Sequence, residues 1–276
     1  MAGALALHTP STQKQVLPEV TTEHQASVRA VVDSVYGKAV EGDSSYVDDA
    51  KEKFVSTLWN HRRTSAIDAS QSDGQELQLE QHMTVYGELG LDALINVLEA
   101  VGVKDGDSFL DIGSGDGMLV MGAAALWGRE NQIGGGGGLR ISRGVEILPT
   151  LYERSLRYQS NFEEEAAFKS MPMARMELYL GNAMDHSSDE LAQVFQDSTL
   201  AVCFATTWSR SEPGRRLPQL SKAVGRGGVS ELPVGARLVI IDGVLDESDG
   251  FVDEGQLKLY CKDTAPYSIA RLYTRI

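Results

Sequence analysis

The chain has only two cysteines and five histidines in 276 residues. Cys203 and Cys261 both sit in apolar, strand-like stretches, which reads as core packing in a reducing compartment and not as a disulfide or a thiolate metal site. His8, His24, His61, His82 and His186 are scattered without ligand spacing, so nothing supports a zinc reading. No apolar run approaches the roughly 20 residues that span a bilayer. The opening MAGALALHTPSTQKQ has no basic segment before its apolar patch and reads as a disordered tail, not a secretory signal. Basic residues are also scarce: 25 Lys and Arg stand against 39 Asp and Glu, for a net charge of −14. No Lys/Arg stripe could hold DNA, so direct nucleic-acid and membrane binding are not expected. An acidic surface serves either solubility alone or a partner with a basic segment.

What is present is an ordinary soluble composition, 42% hydrophobic and 23% charged. Three regions are expected: a tail over 1–20, a helical N-terminal region over 21–104, and an α/β core over 105–276. In the second, Thr22-Glu-His-Gln25 reads as a capping box ahead of Val28, Val31, Val32 and Val35 at helical spacing. A second helical face carries Phe54, Val55, Leu58 and Trp59, and a third carries Leu91, Leu94, Ile95, Leu98 and Val101. The polar TSAIDASQSDGQE between them reads as a linker.

From SFLDI onward the period changes. Strands are expected at 108–112, ending at 147, ending at 181, at 199–204 and at 237–245, with helices over 149–168, 188–196 and 215–224. GGGGG at 134–138 reads as a flexible loop. LKLYC and ARLYTR close the chain as two β-like pieces. Alternating strands and helices predict an α/β, Rossmann-like, mostly parallel sheet with a C-terminal antiparallel hairpin, preceded by the N-terminal helices.

The chemistry concentrates at Asp111-Ile112-Gly113-Ser114-Gly115-Asp116-Gly117. A glycine loop leaving a strand and entering a helix binds ligands because the backbone approaches closely and takes positive φ without penalty. A dinucleotide fingerprint requires glycine at 118, where Met118 stands, and no Gly-Lys-Ser/Thr marks a P-loop. Asp111 is the stronger discriminator. A carboxylate facing a pyrophosphate opposes it by roughly 4 kcal/mol at 4 Å and intermediate dielectric. S-adenosylmethionine (SAM) carries no phosphate, and its ammonium and sulfonium suit an acidic strand end. Glu146, ending the next strand, can accept two ribose hydroxyls. The alternative for each acid is a cap or a turn.

VYGELG (85–90), FLDIGSGDG (109–117), GVEI (144–147), GNA (181–183) and VCFATTW (202–208) occur in the order seen in class I SAM methyltransferases. Over roughly 80–245 the chain most resembles the disruptor-of-telomeric-silencing family of non-SET histone lysine methyltransferases. The resemblance implies that Tyr86, Gly87 and Glu88 close over the methionine end of SAM. It places Asp111, Gly113, Ser114, Gly115 and Gly117 around the cofactor, Glu146 at the ribose, and Asn182 and Ala183 where the family has Gly-Asp-Phe beside adenine. Thr206, Thr207 and Trp208 replace the paired asparagines and aromatic of the family's lysine channel. Trp208 is read as a channel wall or a packed aromatic, and the threonines as acceptor contacts or turn caps. The expected function is SAM-dependent methyl transfer, to a protein lysine by resemblance, in the cytoplasm or nucleus. A small-metabolite methyltransferase and a non-catalytic SAM-fold binding module are the alternatives.

Overall fold

In the computed structural model of the chain, residues 20–36, 89–128, 138–184, 188–205, 216–259 and 268–276 are described. The helix expected at 47–61, the polar linker, most of the glycine run, Cys261, the Tyr86–Glu88 element and Thr206–Trp208 lie outside them.

SFLDI forms β1 (Ser108–Ile112), and all five residues are buried, as an uninterrupted apolar strand covered on both faces requires. It is joined by β2 (Ile141–Glu146), β3 (Arg175–Leu180), β4 (Leu200–Phe204), β5 (Arg237–Ile241), β6 (Phe251–Leu259) and β7 (Ser268–Arg275). The sheet order is β3-β2-β1-β4-β5-β7-β6. The first five strands pair in parallel, whereas β7 lies antiparallel to both β5 and β6. This is the Rossmann-like sheet with an antiparallel C-terminal pair that the sequence pattern predicts. Because β1 lies between β2 and β4, the chain reverses its direction of winding there. The crevice beyond the carboxyl ends of β1 and β4 is thus the place for a ligand.

Strand alternation divides the core. Phe109, Val202 and Val239 face one apolar cluster, shared with α1 (Thr22–Tyr36), α2 (Leu91–Val101), α3 (Met118–Leu126) and α4 (Pro149–Phe168). Leu110, Ile112, Cys203 and Ile240 face the other, shared with α5 (Asp189–Gln196) and α6 (Pro218–Val224). Alternation puts Asp111 on the Phe109 side, under the helix that follows the glycine loop.

Several boundaries differ from the pattern for local reasons. The cap of α1 is Thr21, not Thr22: its hydroxyl accepts from the His24 amide at 3.3 Å. Residues 216 and 217 are extended instead of helical, because Arg216 bridges to Val244 and the Leu217 amide donates to the Val244 carbonyl at 2.9 Å. Strand β5 stops at Ile241, where Asp242 turns to φ +59° and its carboxylate accepts from Ser268 Oγ at 2.8 Å and the Ile269 amide at 3.0 Å. β6 begins six residues before LKLYC; as an edge strand it exposes Val252, Glu254 and Gln256, and its bulge at Asp253/Gly255 hides the alternation. Among the described residues no helix is long and apolar enough to cross a membrane.

Candidate functional site

The segment after β1 turns tightly through three alternate glycines, Gly113 at φ +84°, Gly115 at +53° and Gly117 at +81°. All three lie in the left-handed region, where a side chain is strained, which explains why the spacing is G-x-G-x-G and not merely glycine-rich. The loop is pinned to the next strand: the amides of Gly113 and Ser114 both donate to the Val145 carbonyl, at 2.8 and 3.1 Å. Gly117 is the residue before α3, and its carbonyl accepts from Met121 at 3.0 Å.

Gly144 in β2 is required by this packing. A Cβ there would lie 2.7 Å from both Cβ and Oγ of Ser114 and 2.8 Å from Val120 Cγ2. Ser114 Oγ is buried and has no hydrogen-bond partner among the described residues. The Gly144→Ala protein is expected to lose about 1–3 kcal/mol of stability from overpacking. It is also expected to bind SAM more weakly than wild type, because the added methyl displaces the loop. Chemical denaturation and calorimetric titration check the two effects.

Two carboxylates stand at the carboxyl ends of adjacent strands, Asp111 last but one in β1 and Glu146 last in β2. Asp111, 2% exposed, makes no hydrogen bond among the described residues. Burial, with the neighbouring Glu146 second, pushes its carboxyl up to about 8. Glu146 spans the loop and the turn after β2: one oxygen accepts from the Gly115 amide at 2.8 Å and the other from the Leu148 amide at 2.8 Å. Burial raises its pKa, opposed by backbone amides of Leu148, Gly115 and Ile147 that favour the ionised form. The turn reading of Glu146 is therefore realised in part. A carboxylate offers about four acceptor positions, so Glu146 keeps capacity for a further donor. A buried carboxylate without a donor among the described residues, beside one with spare acceptor capacity, fits a ligand bearing a cation and hydroxyls. Such a ligand would relieve the desolvation that holds Asp111 protonated.

Ile147, just after β2, and Leu180, the β3 residue paired with Glu146, are 41% and 46% exposed apolar side chains at the carboxyl end of the sheet. Asn182 uses its carbonyl to accept from the Met184 amide at 2.9 Å. The Ala183 methyl packs into the second apolar cluster, and its carbonyl accepts from Ser230 Oγ at 2.6 Å. The turn after β3 thus presents the Asn182 amide rather than the Ala183 side chain.

Sequence reading missed the partners of Asp116. Arg154 in α4 holds the Asp116 carboxylate with both Nε, at 2.6 Å, and Nη2, and the pair is buried, 7% and 6% exposed. Their separation of 38 residues leaves no local signature. Among the described residues no group of three or more His, Cys, Asp or Glu could hold a metal ion.

Residues 76–162 match the family model described as histone methylation protein DOT1. That stretch holds the Tyr86–Glu88 element, the glycine loop and Glu146. No curated protein matches the chain. Among solved structures, it is similar to an RNA methyltransferase from Salinibacter ruber in complex with S-adenosyl-L-homocysteine, at 18% identity and TM-score 0.43, over 68% of this chain and 94% of that one. It is also similar to the glycopeptide N-methyltransferase MtfA complexed with SAM, at 10% identity and TM-score 0.46, over 69% and 96%. A third is geranyl diphosphate C-methyltransferase from Streptomyces coelicolor A3(2), at 12% identity and TM-score 0.43, over 77% and 84%. Over the matched residues the chain is DOT1-like.

Proposed function

We propose that the chain transfers the methyl group of SAM to a lysine side chain of a protein. The observation that carries this reading is the DOT1 match over 76–162, because it joins the Tyr86–Glu88 element to the glycine loop and Glu146. The net charge of −14 supports a basic acceptor segment, as a histone would offer, and a histone acceptor goes with a nuclear location.

SAM, when bound, supplies a methyl group activated on a sulfonium. Asp111 faces the cationic end of the cofactor, and Glu146 accepts the ribose hydroxyls. The backbone of Gly113, Ser114, Gly115 and Gly117 admits the cofactor without side-chain obstruction. Ile147 and Leu180 offer the base an apolar surface, with the Asn182 amide at its edge. Tyr86, Gly87 and Glu88 close over the methionine end, as the resemblance implies. Positioning and exclusion of water are what the protein contributes to an in-line displacement of this kind. A lysine acceptor sheds its proton most readily in an apolar channel, which depresses the amine pKa.

A small-metabolite acceptor is the second reading, and the Thr206-Thr207-Trp208 sequence favours it, since the family's paired asparagines are missing there. Incubating the chain with methyl-labelled SAM and either core histones or a lysate separates the two. Label is expected in protease-sensitive macromolecules, on lysine by mass spectrometry. Label appearing only in small solutes would overturn the protein-acceptor reading.

A further inference from the structure

We propose that helix α1 clamps the glycine loop, with Tyr36, Asp116 and Arg154 as positioning residues, so that docking of the helix and binding of SAM reinforce each other. The inference rests on the methyltransferase reading and concerns how this chain holds its cofactor loop.

Helix α1 is tied to both ends of α3. Near its start, His24 Nε2 lies 2.9 Å from the Ala125 carbonyl in the last turn of α3. At its last residue, the Tyr36 hydroxyl donates to the Asp116 carbonyl at 3.0 Å and lies 3.3 Å from Met121 Sδ. Between these points Val28, Val31, Val32 and Val35 are buried in the cluster shared with α3 and the sheet. The helix therefore lies along α3, with its C-terminal end at the glycine loop.

Asp116 is gripped twice. Its carbonyl takes the Tyr36 hydroxyl from α1, and its carboxylate takes the Arg154 guanidinium from α4. The two grips are themselves joined: Tyr36 packs against Tyr158 with ring centroids 4.5 Å apart and planes tilted by 53°, and Tyr158 stands one helical turn beyond Arg154. Asp116 is flanked by Gly115 and Gly117, both left-handed, in a backbone with much conformational freedom to lose. The Gly115 amide is one of the donors that orient Glu146. A displacement of Asp116 thus moves the carboxylate assigned to the ribose. Linkage makes the effect mutual: if docked α1 favours the binding form of the loop, bound SAM must favour docked α1.

Tyr36→Phe removes the hydroxyl and keeps both the ring contact and the valine packing. It is expected to weaken SAM binding by about fivefold, the worth of one hydrogen bond. Arg154→Lys keeps the charge but loses the two-pronged grip, and a weakening of at least that size is expected. In wild type, SAM is expected to slow hydrogen exchange at the α1 amides, and Tyr36→Phe should reduce that slowing. A loss of stability alone would not produce this pattern. SAM affinity and α1 protection that match wild type in both folded variants overturn the proposal. If Arg154→Lys does not fold, Tyr36→Phe decides. A wild-type chain that binds SAM while its variants bind equally well sinks this inference and leaves the methyltransferase reading standing. A wild-type chain that does not bind SAM overturns both.

Discussion

Asp111→Asn is expected to weaken SAM binding by about a hundredfold or more while making the ligand-free protein more stable at pH 8. The two effects have one cause. The Asp111 carboxyl is buried, lacks a hydrogen-bond donor among the described residues and lies beside Glu146, so its pKa is raised to about 8. The unfolded chain ionises this group near the ordinary value of about 4. Below that pH both states are protonated and the group costs nothing. As pH rises from about 4 to about 8, the unfolded chain sheds the proton and the folded one keeps it. Stability then falls by about 1.4 kcal/mol per pH unit, and the loss levels off above the folded pKa. Asparagine carries no such penalty. Measured by denaturation from pH 5 to 9, the stability of the variant relative to wild type should therefore climb up to about pH 8 and then level. SAM reverses the balance, because its cationic end favours the ionised carboxylate. Binding near pH 7 should release a proton, seen as a calorimetric enthalpy that depends on the ionisation heat of the buffer, and the variant should lose that dependence.

The second large effect lies at the opposite end of the sheet. Asp107→Ala is expected to cost about 3–5 kcal/mol of stability, the range for removing one partner of a buried ion pair. Asp107, 1% exposed, pairs with Arg237 at the start of β5. It also accepts from Thr199 Oγ1 at 2.8 Å and from the Lys104 amide at 2.6 Å. Arg237 in turn donates to the carbonyls of Val101 and Gly102 at the end of α2. One carboxylate therefore ties α2, β1, β4 and β5 together below the sheet. Arg237→Met in the Asp107→Ala background should recover much of the loss, because the stranded guanidinium is removed. The SAM affinity of the folded fraction should stay at the wild-type value, since the latch stands at the amino ends of strands and the cofactor crevice at their carboxyl ends. Urea denaturation and titration of the same samples separate these outcomes.

The strands and helices of the core were legible because their periods are local. SFLDI, Pro149–Phe168 and the Asp189 helix could be read directly, as could the glycine loop with an acid at each of two successive strand ends. What escaped was set by contacts distant in sequence. The end of β5 depends on Asp242 meeting Ser268, and the start of β6 on an edge position that tolerates Glu254 and Gln256. Asp116 looked like one more loop residue until Arg154 and Tyr36 came to it from other helices. Gly144, read only as the first letter of GVE, is glycine because Ser114 of the cofactor loop rests on it. At the position of Ala183, placed beside adenine by resemblance, the methyl packs into the core. Pattern shows which residues share a face; it does not show which loop lands on them.

Titration of the folded wild-type chain with SAM tests the central claim most directly. The Asp111–Gly117 loop and Glu146 predict saturable binding tighter than about 1 mM, a free energy beyond about −4 kcal/mol. Absence of binding at several times that concentration (~5 mM), by a chain whose circular dichroism shows it folded, would contradict the account.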